Sequence, residues 1–243
     1  MKKAQATLFI IIAIIIVGGI IAYFATRGRI NIEQIPAELA PVFNYYQECI
    51  KEKTRLGVDL AGLQGGRIRV PDYVPGGDWA PFSSQLTFMG APVPYWYYLS
   101  DNGLIKEQVP TKSQMTADIA EYVKENLAAC DFEPFYIQGF TIERGEPEVQ
   151  VEVQDTKVIT KVTSTMVVSK ADKTAIKTSH NIELATKLGK FYSLALEIYN
   201  KQKQDAFLEK YAVDTLYSYA PVTGVEIQCA PKVWSTTNII NSL

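Results

Sequence analysis

The sequence predicts an α+β protein: an N-terminal transmembrane helix followed by an extracytoplasmic domain in which an antiparallel β-meander packs against several α-helices. Three observations predict it. An uncharged apolar run, Ala4 to Thr26, opens the chain. Blocks with helical apolar spacing follow around Leu39–Ile50, Met115–Cys130 and Leu184–Tyr219, and between the last two lies a stretch of period-two alternation broken by turn signals.

The apolar run of about 23 residues is long enough for a hydrocarbon core of about 30 Å. Lys2 and Lys3 flank it on one side, Arg27 and Arg29 on the other, so charge asymmetry is weak. Cysteine usage and the large polar C-terminal part place the N-terminus in the cytoplasm and the domain outside a plasma membrane. A cleaved secretory signal has an apolar region of roughly 7 to 15 residues; this run is longer and Tyr23-Phe24-Ala25-Thr26 is a poor cleavage site, so a retained anchor is expected. Within it Gly18, Ala22 and Thr26 form a small-residue stripe that suits helix packing, although such residues are common in membrane helices anyway. The expected organisation is an anchor over residues 1–29 and a domain over 30–243, divisible into a helical and aromatic-loop part (30–130), a meander with helices (131–229) and the start of a further element (230–243). Ile239, Ile240 and Leu243 would present an apolar face there, which suggests that the chain continues in a longer protein.

Pro36 suits the first turn of a helix, and Leu39, Val42, Phe43, Tyr46, Cys49 and Ile50 place that helix from about Ala37 to Asp59, with Gln64-Gly65-Gly66 beyond its end. Gly66–Val70 reads as a short strand, Pro71–Pro94 as a long loop, and Tyr95–Leu99 as a second strand before an Asp101-Asn102-Gly103 turn. Thr111 or Ser113 can cap the next helix, whose face is Met115, Ile119, Tyr122, Val123, Leu127 and Cys130. Phe135–Glu143, Glu148–Gln154, Lys157–Ser169 and Thr174–Ile182 then read as a four-stranded meander paired in sequence order, with one apolar face for helices to cover. Two helices, Leu184–Gln204 and Ala206–Tyr219, follow; Leu188, Phe191, Leu194, Ala195 and Ile198 are the apolar face of the first.

Once the anchor is set aside about 215 residues remain, enough for a real core. The chain carries three cysteines. Cys49 and Cys130 both fall at the core-facing phase of expected helices, so a Cys49–Cys130 disulfide is expected, leaving Cys229 unpaired or intermolecular; three small buried thiols are the alternative.

Lys2-Lys3-Ala4-Gln5-Ala6-Thr7 directly before the apolar run resembles the processing site of archaeal class III signal peptides and type IV pilin-like proteins. The resemblance implies cleavage between Ala4 and Gln5 on the cytoplasmic face, Thr7 standing for the family's small hydroxyl residue, and an apolar helix that survives as a filament core or an anchor. Phe9 stands where filament-forming members carry a glutamate, which points to the anchor. The remainder is similar to archaeal single-span surface proteins in Cys49-Ile50, Gln64-Gly65-Gly66, Tyr95-Trp96-Tyr97-Tyr98, Gln138-Gly139-Phe140 and Cys229-Ala230-Pro231-Lys232-Val233-Trp234; that likeness implies no known activity.

The residue types exclude much chemistry. Net charge is −2 with interspersed Lys and Glu, which argues against nucleic-acid binding. No Cys-x-x-Cys occurs and His180 is the single histidine, so neither a metal site nor any other cofactor site is expected. Ser179 precedes His180 on an expected strand, so the two side chains point to opposite faces and cannot pair as nucleophile and base. Glu143 with Glu146, and Asp205 with Glu209, lack the apolar surroundings that tune a catalytic acid. The expectation is a non-enzymatic structural or interaction protein, with the membrane and a protein partner or its own copies as partners. Its candidate contact surface is Tyr73, Trp79, Phe82, Phe88, Tyr95, Trp96, Tyr97 and Tyr98, in a Gly- and Pro-rich stretch. Two alternatives stand beside it: the same rings line a pocket for a small molecule or glycan, or they fill the underside of the loop. For the orientation, protease added to intact cells is expected to destroy the domain; survival until the cells are permeabilised would reverse it.

Overall fold

The computed structural model describes residues 35–219 together with Thr237. The expectations for Ala4–Thr26, including Ala4, Gln5 and the Gly18, Ala22 and Thr26 stripe, lie outside the described residues, as do those for Cys229 and for 230–243. Among the described residues no helix is long and apolar enough to cross a membrane.

The architecture is α+β. Its elements are α1 (Ala40–Leu63), β1 (Gln85–Phe88), β2 (Ala91–Pro94), β3 (Tyr97–Leu99), β4 (Ile105–Glu107), α2 (Lys112–Asn126) continued by a 3₁₀ turn (Leu127–Ala129), α3 (Glu133–Ile137), β5 (Thr141–Arg144), β6 (Glu148–Val153), β7 (Lys157–Lys170), β8 (Lys173–Ala185), α4 (Leu188–Asp205) and α5 (Phe207–Tyr219). Among the described residues two two-stranded sheets, β1–β2 and β3–β4, accompany a four-stranded one. Among the described residues the chain divides into two compact units, the first made of 35–57, 119–151 and 160–182, the second of 58–118, 152–159 and 183–219.

The large sheet is organised on β7 and departs from the expected meander. β7 pairs with all three other strands. β8 follows it through the Ala171-Asp172 turn, and the Thr186 N–H donates to Thr156 O (3.1 Å) at the far end. β5 and β6 share the opposite edge end to end: Thr141–Arg144 pair antiparallel with Ser169–Met166, and the Gly145 N–H donates to Thr165 O (2.8 Å) before β6 begins. A strand of 14 residues is long enough to accommodate both. Phe135, expected to open a strand, lies instead in α3, where Pro134 takes an early helical position at which its missing N–H costs nothing.

In the first unit Val42, Phe43, Tyr46 and Ile50 of α1, then Ile119, Val123 and Leu127, and alternate residues of β7 (Val162, Met166, Val168) are all buried. Each fully buried aliphatic or aromatic side chain contributes about 1.5–3 kcal/mol. Thr54 Oγ1 donates to Thr160 Oγ1 (3.1 Å) inside this core, satisfying two hydroxyls that burial would otherwise penalise.

In the second unit, α1 ends where Gly66, at φ +93°, sends its N–H back to Ala61 O (2.7 Å); a Cβ there would stand 2.9 Å from Pro110 Cγ. The following Arg67–Val70 forms no strand, in contrast to expectation, because the Ile68 and Arg69 N–H groups donate to Asp118 Oδ2 (3.1 and 3.4 Å) rather than to a neighbouring chain. Thr111 and Gln114 open α2 with a reciprocal pair of bonds, Gln114 N–H to Thr111 Oγ1 (3.1 Å) and Thr111 N–H to Gln114 Oε1 (2.9 Å). On α4 only Leu188 of the expected apolar face is buried; Phe191, Leu194 and Ile198 are exposed.

Cys49 and Cys130 are joined, with Cα atoms 6.1 Å apart across 81 residues of sequence. Cys130 follows the 3₁₀ turn rather than lying inside a helix. Cross-linking a loop of that length restricts the unfolded chain and typically stabilises by about 2–4 kcal/mol. The Cys49→Ala/Cys130→Ala double variant is expected to lose about that much in urea unfolding; an unchanged midpoint would contradict a stabilising bridge.

Candidate functional site

The aromatic segment lies in the second unit and has more regular structure than its composition indicates. At its start Val74 and Ser84 close a loop: the Ser84 N–H donates to Val74 O (2.9 Å) and the Val74 N–H to Ser84 Oγ (2.8 Å). Inside it Gly77 and Ala80 exchange backbone bonds of 2.8 and 3.2 Å, and a Cβ on Gly76 would stand 2.3 Å from Pro81 O. The second half of the expected loop is the β1–β2 hairpin, with Phe88 opposite Ala91 and a Met89-Gly90 turn in which both φ angles are positive, 49° and 82°. That pair of angles matches the twist of the flanking strands. Tyr97–Leu99 and Ile105–Glu107 then pair as β3–β4.

These hairpins are tied together by polar groups. The Tyr95 N–H donates to Ser84 O (3.0 Å), the Gln108 N–H to Trp96 O (2.8 Å) and Gln108 Nε2 to Tyr95 O (2.7 Å). Tyr199 on α4 donates its hydroxyl to Glu107 Oε1 (2.7 Å), and Lys203 Nζ reaches both oxygens of the same carboxylate. Lys203 and then Tyr199 hold the Glu107 carboxyl below its ordinary value; burial, reinforced by Glu107, pushes the Tyr199 phenol up to about 12.

On this scaffold the eight expected contact rings separate into two groups. Trp79 is 88% and Phe82 74% exposed, and Tyr73, Phe88 and Tyr97 are exposed as well. Tyr98 is only 7% exposed, because successive residues of β3 face opposite sides. Trp96 is half-buried, its Nε1–H donating to Gly65 O (2.9 Å) and its ring edge-on to Tyr199 at 5.6 Å; Tyr95 is half-buried too. Sequence reasoning missed the aliphatic part of this surface. Met89 is 86% exposed at its turn, and Leu86, Leu99, Leu104 and Ile105 are exposed, Leu99 and Ile105 directly opposite one another. The signal for Leu86 was its spacing from Phe88, two residues along one strand.

His180, in the first unit, is fully buried in the interior of β8. Tyr46 packs edge-on to it at 4.8 Å, and among the described residues neither ring nitrogen has a hydrogen-bond partner. Ser179 approaches Asn181 (3.5 Å). Among the described residues no group of three or more His, Cys, Asp and Glu could hold a metal ion.

Comparison with known proteins adds no relative: no family model, no curated protein and no solved structure matches the chain.

Burial, with help from the Lys177 charge, lowers the His180 pKa from 6.5 to about 4; the Ser164 backbone, outside hydrogen-bonding geometry, opposes them weakly. Between those values the unfolded chain binds a proton that the folded one excludes, so this contribution to stability is intact above pH 6.5 and is lost as pH falls toward 4. The loss is on the order of 3 kcal/mol. Urea unfolding at pH 7 and pH 4 is expected to show a larger drop for the native chain than for His180→Leu; equal drops would contradict it.

Proposed function

We propose that this chain is a membrane-anchored, extracytoplasmic interaction protein without catalytic activity, which contacts a protein partner through exposed rings and aliphatic side chains of residues 73–105. The observation that carries the reading is Trp79, 88% exposed on a loop whose backbone bonds are closed by Ser84, Gly77 and Ala80. A large ring displayed on fixed backbone loses little freedom when a partner covers it, and Trp and Tyr are the usual anchors of such contacts.

The other reading, capture of a small molecule or glycan, needs Trp79 and Trp96 to converge on one concavity. The exposure of Trp79, and the use of Trp96 to hold Gly65, weigh against it. The apolar N-terminal run supports anchoring, and the resemblance of Lys2–Thr7 to pilin-like processing sites supports cleavage before Gln5.

The Trp79→Ala/Phe82→Ala variant is expected to fold with stability changed by about 0.5 kcal/mol or less, as for other exposed positions. Retention of the partner in pull-downs from cross-linked intact cells should fall at least tenfold. If the variant unfolds, the rings belong to the core; if retention is unchanged, the surface lies elsewhere. Self-association lost in the same variant would identify the partner as a second copy.

A further inference from the structure

The first unit holds a cleft of about 770 Å³ whose walls include the rings of Tyr46 and Tyr136 and the aliphatic Leu127 and Ile142. Five charged side chains also line it, Glu121, Lys124, Glu125, Arg144 and Glu146. Lys124 and Glu146 are paired at 3.5 Å, and Glu121 and Glu125 each have interactions of their own.

Arg144 differs from the other four. Its guanidinium carbon lies 4.7 Å from the Phe132 ring centroid and 6.0 Å from that of Tyr46, and Nη1 donates to Leu127 O (3.3 Å). Among the described residues no carboxylate lies within 4 Å of it, although three glutamates share the cleft. A guanidinium has five N–H donors in a planar fork that matches a carboxylate. The backbone that carries it is held in place: Arg144 ends β5 opposite Met166, and Gly145 beyond it is fixed by bonds to Thr165 O and from Ser164 Oγ.

We propose that this cleft binds a carboxylate, held by the Arg144 fork, on a ligand whose apolar or aromatic body lies against the exposed ring of Tyr136. Three acids and two bases line the cleft, a net charge of −1 that repels a dianion such as phosphate more than a monoanion, and among the described residues Arg144 is the lining cation with no carboxylate within 4 Å. The carboxylate can belong to a small organic acid or to the C-terminus of a peptide.

The test is calorimetric titration of the full chain with benzoate and with N-acetyl-phenylalanine, each against its amide, and with inorganic phosphate. At least one of the two acids is expected to bind saturably and at least tenfold more tightly than its amide and than phosphate; benzoate alone identifies a small organic acid, and N-acetyl-phenylalanine a peptide terminus. Arg144→Ala should weaken that binding at least tenfold, and Arg144→Lys, which keeps charge but not the fork, by less. Equal binding of acid and amide, phosphate binding as tightly as the acid, unchanged binding by Arg144→Ala, or no saturation by either acid at about 10 mM would overturn the proposal. The acid-to-amide ratio is read on the unmodified chain, so it decides whether or not the variants fold.

Discussion

The register of β7 is the constraint on which the large sheet depends. Val158, Thr160, Val162, Ser164, Met166 and Val168 are all buried, and the residues between them are not. A slip of one residue would expose that set and turn Lys161, Thr163 and Thr165 inward. Because β5 pairs only along Met166–Ser169, the same register fixes Arg144 at the end of its strand. Through β8 it also fixes the phase that buries His180 and leaves Ser179 and Asn181 on the other face.

A different constraint shapes the aromatic segment, where short strands and a Gly- and Pro-rich chain supply few ladder bonds. The polar groups that the ladders leave over are met by side chains and loop closures: Ser84 for Val74, Gln108 for Tyr95, the Trp96 indole for Gly65. Using Trp96 and Tyr98 to hold the scaffold leaves Trp79, Phe82, Phe88 and Tyr97 outside it. Fixing the backbone while leaving the rings in solvent is the arrangement that makes a contact surface cheap to form.

Elements governed by local chemistry were legible in the sequence. The cap, expected at Thr111 or Ser113 and found at Thr111, the helical phase of Cys49 and the alternation of β7 are each specified within a few residues. What could not be read depends on distant partners. Residues 67–70 resemble a strand until Asp118 takes their N–H groups, and nothing local shows that β5 and β6 share one edge of β7. Pro92 and Pro94 hid β2, since proline is tolerated only where no ladder donor is needed, and Met89 gave no turn signal. Lys177, Thr178, Ser179 and Asn181 made the surroundings of His180 look solvent-facing, although His180 and Ile182 are both buried there.

The claim that most needs testing is that the exposed rings meet a partner while the domain stays folded. Site-specific photo-cross-linking in intact cells tests it directly, with a benzoylphenylalanine placed at position 79 or 82 and, for comparison, at Ile176, an exposed apolar residue outside the segment. The account predicts a discrete adduct from 79 and 82 and none from 176. Adducts of equal yield from all three positions, or none from 79 and 82, would contradict it.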